Sequence, residues 1–225
     1  MNDPESLQLP YTRAMTSWLL FKEAVDDTLI IGLGGGSLAR HLLYHFPECR
    51  LRAIEYRASV VKIARSHFGL PLDSRLKVII DDAGAYVPQH AKTCVEKYSL
   101  ILVDAFDVEG MAESIASLAF FDACKTLLKP DGILVINLWT TATMVFDSCL
   151  SWLQQVFNEK VLTLPVRNRG NMIVMAFNQD VPQFDMKALK VRAIELEQQY
   201  QIEFPIFLKD INKHNAYTLH KIITK

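Results

Sequence analysis

Net charge is nearly absent from this 225-residue chain: the formal balance is −1, and no run of lysine or arginine occurs. A general nucleic-acid surface needs a concentrated positive field, so no nucleic-acid partner is expected. Cysteine is sparse. Cys49, Cys94, Cys124 and Cys149 are scattered without a CxxC pair, which argues for reduced thiols in a cytoplasmic protein rather than a disulfide scaffold. Long apolar runs are missing too. The cluster Trp18 to Phe21 is too short to cross a bilayer, and Asn137 interrupts the run Ile133 to Trp139, so no membrane partner is expected. The first residues are acidic and polar, without the basic and apolar regions of a signal peptide. The six histidines form no constellation. His41 and His45 stand four apart on a predicted helix, but no acid sits where a zinc-protease pair requires one, and His67, His90, His214 and His220 are dispersed. No metal is expected, and no Ser-His-Asp arrangement can be argued. The chain shows no internal repeat and no low-complexity tract.

What the chain does contain is core. Half of its residues are hydrophobic, enough for a sheet covered on both faces, and the length suits one large domain. Apolar runs at 28–32, 50–55, 76–80, 98–103 and 132–138 read as strands. Helical patterns lie between them at about 37–46, 58–68, 83–91 and 114–128. Continuous runs such as Leu100-Ile101-Leu102-Val103 mean burial on both faces, the mark of a parallel α/β sheet. Lys129-Pro130-Asp131-Gly132 reads as a turn before the fifth strand. After a helix at 142–157 the rhythm changes: Val161 to Val166 and Met172 to Phe177 flank Arg167-Asn168-Arg169-Gly170-Asn171, a hairpin. A helix at about 186–200 and an apolar stretch at 204–211 follow. The expected fold is a doubly wound, mostly parallel seven-stranded α/β sheet, Rossmann-like, ending in an antiparallel hairpin. By analogy that ending is typical of the class I methyltransferase type. Residues 1–27 are read as an N-terminal helical extension, in which the Trp18–Phe21 cluster suggests a helix over the pocket, and residues 28–225 as one nucleoside-binding domain.

Four features carry chemistry. Leu29-Ile30-Ile31-Gly32-Leu33-Gly34-Gly35-Gly36-Ser37 is a strand running into a glycine hinge, where a backbone without Cβ atoms turns tightly and lets a ligand approach. Gly32, Gly34 and Gly36 suit nicotinamide, flavin and sulfonium nucleosides almost equally, and a tight turn without a ligand is the plainer alternative. Glu55 closes the second strand twenty-three residues after Gly32, where an acid can accept both hydroxyls of a ribose. Asp82, with Ala83 beside it, follows the third strand at a position facing a base edge; a helix N-cap is the competing role, and one residue can serve both. Asp104 and Asp107 follow the fourth strand, at the edge where open α/β sheets bind ligands. Two carboxylates there attract a cation and can take its proton; two solvated acids in a capped turn are the alternative. An alkylamine, with a pKa of about 10 on the lysine model, is a poor nucleophile until deprotonated. An aspartate in contact is a suitable general base. The turn with Arg167 and Arg169 reads as a solvated hairpin tip.

These residues resemble the polyamine aminopropyltransferases, the spermidine and spermine synthases, over roughly residues 28–140. The family loop Gly-Gly-Gly-Asp-Gly-Gly-x-x-Arg aligns with Gly32 to Arg40. The segment Asp-x-x-Asp-Pro-x-Gly-Pro-Ala-Glu aligns with Asp104 to Glu113 and keeps Asp104, Asp107, Gly110, Ala112 and Glu113. Leu128 to Leu134 looks like the family's late turn and strand. The resemblance implies the class I transferase fold, S-adenosylmethionine or its decarboxylated form as donor, and a small-molecule amine as acceptor. It also implies Glu55 on the ribose, Asp82 near the adenine amine and Asp104 as the proton acceptor. Departures are equally plain. Gly35 replaces the loop aspartate that holds the donor's amine in the family, and Val108 and Met111 replace both prolines. The family's small N-terminal β-domain has no room here, and its Tyr-His-Glu-Met run is echoed only in Tyr11-Thr12-Arg13-Ala14-Met15. The likeness is thus to a truncated spermidine synthase-like protein. Aminopropyl transfer leads among the expectations. An S-adenosylmethionine methyltransferase, a non-catalytic nucleoside-binding protein and, at a distance, a nicotinamide enzyme remain open, as does a homodimer.

Overall fold

Strict alternation along the strands sorts the core into two halves. Ile30, Leu51, Ala53, Leu100 and Leu102 face one apolar layer, whereas Leu29, Ile31, Ile54, Ile101 and Val103 face the other. Such period-two segregation with both sides apolar requires a sheet sandwiched between helices. The computed structural model, which describes residues 6–105 and 112–224, has that architecture.

The strands are β1 (Asp27–Ile31), β2 (Arg50–Glu55), β3 (Leu76–Ile80), β4 (Tyr98–Val103), β5 (Leu128–Trp139), β6 (Val161–Pro165) and β7 (Asn171–Phe177). They are ordered β3-β2-β1-β4-β5-β7-β6. The first five run parallel, and β7 is antiparallel to both β5 and β6. The doubly wound sheet and its terminal hairpin are therefore as expected. Helices α1 (Pro10–Ala14), α2 (Ser37–His45), α3 (Ala58–His67), α7 (Met186–Tyr200) and α8 (Phe204–His214) frame one face; α4 (Ala83–Ala91), α5 (Leu118–Leu127) and α6 (Thr143–Val156) cover the other. Among the described residues no helix is long and apolar enough to cross a membrane.

Three details depart from the sequence reading. The fifth strand begins at Leu128, so Lys129-Pro130-Asp131-Gly132 lies within it; Tyr98 pairs with Leu128, and a register shift before Leu100 absorbs the irregularity. The helix expected from 114 is split. A 3-10 turn over Glu113–Ile115 precedes α5, whose true start is set by Ser117, its hydroxyl accepting from the Phe120 N–H at 3.2 Å. Finally, two-residue strands β8 (Phe184–Asp185) and β9 (Ile223–Thr224) pair in a separate ladder too short to leave a periodic signal.

The segment following α1, Met15–Leu20, is 3-10 helix and entirely buried. Trp18 is 1% exposed and meets the Phe46 ring at 5.5 Å, while Phe21 packs edge-on against Phe177 at 5.1 Å. Ser17 sits against the Met175 sulfur at 3.2 Å. This is core packing, not a loose cover. Trp18→Ala is accordingly expected to cost about 3–5 kcal/mol in denaturant unfolding; a loss below about 1 kcal/mol would mean that the segment is held only weakly.

Candidate functional site

The carboxyl ends of β1 to β4 open onto one cavity of about 620 Å³. Its floor is set by a backbone contact. At Gly32, φ is +86°, and a Cβ there would lie 2.3 Å from the Asp104 carbonyl oxygen. No other residue type fits both conditions. The Gly32 N–H donates to the Ile54 carbonyl at 2.9 Å, and the Asp104 N–H donates to the Ile31 carbonyl at 2.8 Å. The first strand end is thus clamped to the ends of both neighbours.

Glu55 is buried, and both of its carboxylate oxygens are engaged. Oε2 accepts from the Leu33 N–H at 2.9 Å and Oε1 from the Arg57 N–H at 3.0 Å. Each oxygen keeps a second acceptor site, so the group is oriented by the backbone yet able to receive two hydroxyl donors. Asp82 caps α4: its Oδ1 accepts from the Gly84 N–H at 3.0 Å and from the Ser114 hydroxyl at 2.8 Å. Both bonds fall on one oxygen. The capping alternative is therefore realised at a residue that also lines the cavity, and Ala83 lines it as well.

Asp104 is held from β5 and α1. Its Oδ1 accepts from the Asn137 amide at 3.0 Å, and the Asn137 carbonyl oxygen accepts from the Asn171 amide at 3.0 Å. The Tyr11 hydroxyl is a further donor to Asp104. Burial pushes the Asp104 carboxyl above the ordinary carboxylate range, and the bonds from Asn137 and Tyr11 pull it part of the way back. Burial, with the adjacent Asp104 charge, likewise raises the Tyr11 phenol, which keeps it a protonated donor.

Gly32, Gly34, Glu55, Asp82, Ala83 and Asp104 all border this one cavity. Gly36 does not. It stands behind, at the N-cap of α2 with φ +76°, where a Cβ would press to 2.8 Å from Leu70. Asp107 lies outside the described residues. Sequence reasoning missed Asn171, Ser114 and the half-exposed Trp139, all on the cavity wall. Asn137 was noticed only as a break in an apolar run; an amide inside an otherwise wholly apolar strand was the available signal, because a buried polar group implies a polar partner. With Asp81 and Glu113 also on the wall, against Arg57 as the one cation among the described lining residues, the site favours a positively charged ligand. Among the described residues no group of three His, Cys, Asp or Glu side chains is placed to hold a metal.

A family model described as the spermine/spermidine synthase domain matches residues 9–188. This chain belongs to the spermidine synthase family. A polyamine aminopropyltransferase of Neisseria meningitidis serogroup A is 35% identical over 216 residues, covering 96% of this chain and 81% of the relative. Two solved structures share the fold. Human methyltransferase-like protein 13 in complex with SAH superposes with a TM-score of 0.78 at 24% identity, over 86% of this chain and 93% of that one. A spermidine synthase in complex with the transition-state analogue AdoDATO gives 0.69 at 18% identity, over 92% and 75%. Where the family carries its loop aspartate, a Cβ on Gly35 would meet the Phe68 ring at 3.5 Å. That is ordinary contact, so sterics do not account for the glycine.

The raised Asp104 pKa makes a stability prediction. Its protonated form is favoured by folding, so its contribution is full below the unfolded carboxylate range and is lost as pH rises through the higher folded value. Asp104→Asn, neutral throughout, is expected to melt above the parent protein at pH 8, with the gap closing toward pH 4. A gap that widens on acidification would reverse the assigned direction.

Proposed function

We propose that this spermidine synthase family member transfers an aminopropyl group from decarboxylated S-adenosylmethionine to a small amine, as a cytoplasmic enzyme of polyamine metabolism. One observation carries the reading: Glu55, Asp82 and Asp104 border a single cavity, and Asp104 is hydrogen-bonded there by neutral donors. In this reading Glu55 takes the ribose hydroxyls, and Asp82 with Ala83 flanks the adenine. Gly32 and Gly34 let the donor approach the main chain, and Gly36 starts α2 behind them. Asp104 accepts the proton of the incoming ammonium, with Asp107 helping to attract it. The amine lone pair then forms a bond to the carbon beside the sulfonium. The carbon–sulfur pair returns to sulfur, and methylthioadenosine leaves. The leaving group is already activated, so holding nitrogen, carbon and sulfur in line supplies much of the acceleration.

Gly35 favours a second reading. Without an acid there, intact S-adenosylmethionine is less strongly disfavoured, and methyl transfer becomes the rival reaction. Donors labelled separately in the methyl and aminopropyl groups distinguish the two: label in the amine product from the aminopropyl position supports the first, from the methyl position the second.

Binding and chemistry should separate by mutation. Asp104→Asn is expected to lower kcat by about 10²-fold or more with donor Kd changed only severalfold. Glu55→Gln is expected to weaken donor binding by about tenfold or more, because an amide NH₂ would face a backbone N–H. Unaltered turnover in the Asp104 variant would remove it from the reaction.

A further inference from the structure

The same four strands begin at a second cleft, at the opposite edge of the sheet from the cavity above. It has a volume of about 320 Å³ and is lined by Asp27, Arg50, Arg52, Arg75, Lys77 and Lys97 among others. Asp27 is the only acid among the described residues that line it. Its carboxylate meets Arg50 at 2.9 Å and Lys97 at 3.9 Å, and Asp73 neutralises Arg75 at 2.7 Å. Asp27 cancels one of the charges on Arg50, Arg52, Lys77 and Lys97, which leaves three uncompensated. On a chain whose total is −1, that is a local concentration.

Arg52 and Lys77 make the arrangement costly. They are direct register partners across the parallel β2–β3 pair, so their side chains leave the same face of the sheet. Like charges placed side by side on a ladder destabilise it. Among the described residues neither has a carboxylate partner. Arg52 is instead braced by neutral groups on α4: its Nη1 donates to the Tyr86 hydroxyl at 3.0 Å and contacts His90 Nε2 at 2.9 Å, while the Tyr98 hydroxyl meets that same nitrogen at 3.0 Å. A guanidinium held in place by neutral partners keeps its full charge for a ligand.

We propose that this cleft binds a small phosphorylated anion through its diphosphate or triphosphate group. Arg52 offers the oriented fork, Lys77 and Lys97 supply flexible ammonium groups, and Arg50 closes the exposed side. The charge excess matches a polyphosphate better than a single carboxylate, and the volume lies at the small-ligand end of ordinary pockets. Burial and the neighbouring cations Arg52 and Lys97 hold the His90 pKa low; an anion among them would raise it.

Calorimetry of the whole chain with pyrophosphate, at about 0.1 M salt so that surface charges are screened, tests the assignment. Saturable binding is expected, weakened by about tenfold or more in Arg52→Gln and severalfold in Lys77→Gln, whose side chain is exposed. The His90 imidazole resonance, identified with His90→Gln, should titrate at higher pH when pyrophosphate is present. Asp104→Asn should bind pyrophosphate as the parent does, which keeps this site separate from the catalytic reading. Absence of saturable binding would overturn the proposal. So would equal affinity in Lys77→Gln, displacement of pyrophosphate by methylthioadenosine, or a single-stranded oligonucleotide binding the cleft more tightly than pyrophosphate.

Discussion

The 2.3 Å that would separate a Gly32 Cβ from the Asp104 carbonyl oxygen governs the site. In the order β3-β2-β1-β4-β5 the direction in which successive strands join the sheet reverses between β1 and β4, and a crevice opens outside the carboxyl ends of such a pair. How deep that crevice is depends on how closely the two strand ends approach. Hydrogen bonds from Gly32 to Ile54 and from Asp104 to Ile31 draw three strand ends together. They succeed only because nothing projects from Gly32. A side chain there would push the Asp104 backbone outward and separate its carboxylate from the loop that Glu55 orders. Glu55 depends on the same hinge, since its Oε2 is fixed by the N–H of Leu33.

Desolvation has consequences for Asp104. A buried carboxylate is costly unless it is well bonded, and here its described partners are neutral: Asn137, backed by Asn171, and Tyr11. Neutral donors orient the group without locking it into the charged state as a lysine or arginine would. The result is an acid whose pKa lies above the ordinary carboxylate range because desolvation outweighs those bonds. Tyr11 comes from α1, more than ninety positions away in the chain, and α1 is carried by the buried 15–20 segment. Core packing near the N-terminus and the ionisation of Asp104 are thereby linked: Trp18 fixes the segment that presents Tyr11.

Features encoded locally were legible in the sequence. The strands, the hairpin and the glycine hinge announce themselves through apolar runs and turn residues, and Glu55, Asp82 and Asp104 follow from their place at or just past the carboxyl end of a strand. What was not legible depends on distant pairing. The register shift before Leu100 extends β5 back to Leu128 although Pro130 and Gly132 look like a turn. Asn171 gains its role only because β7 lies antiparallel to β5, which brings it beside Asn137. Tyr11 stands in a five-residue helix with no distinguishing periodicity. Ser114 reaches Asp82 because Gly84 leaves room: a Cβ there would lie 2.3 Å from the Ser114 carbonyl oxygen.

Net charge was the least informative of the sequence quantities, and the reason is geometric. A total of −1 argued against a general nucleic-acid surface and gave no sign that opposite charges are sorted to opposite ends of one sheet. Acids collect where β1 to β4 end and cations where β2 and β3 begin. Strand direction does the sorting: parallel strands share one carboxyl edge and one amino edge, so residues at equivalent strand positions accumulate in the same place. The Arg52–Lys77 register pair is a direct product of that rule. Summing over the chain cancels two fields that are separated by the length of a strand. Each nevertheless acts on its own side of the molecule, because that separation exceeds the screening length of about 8 Å at physiological salt.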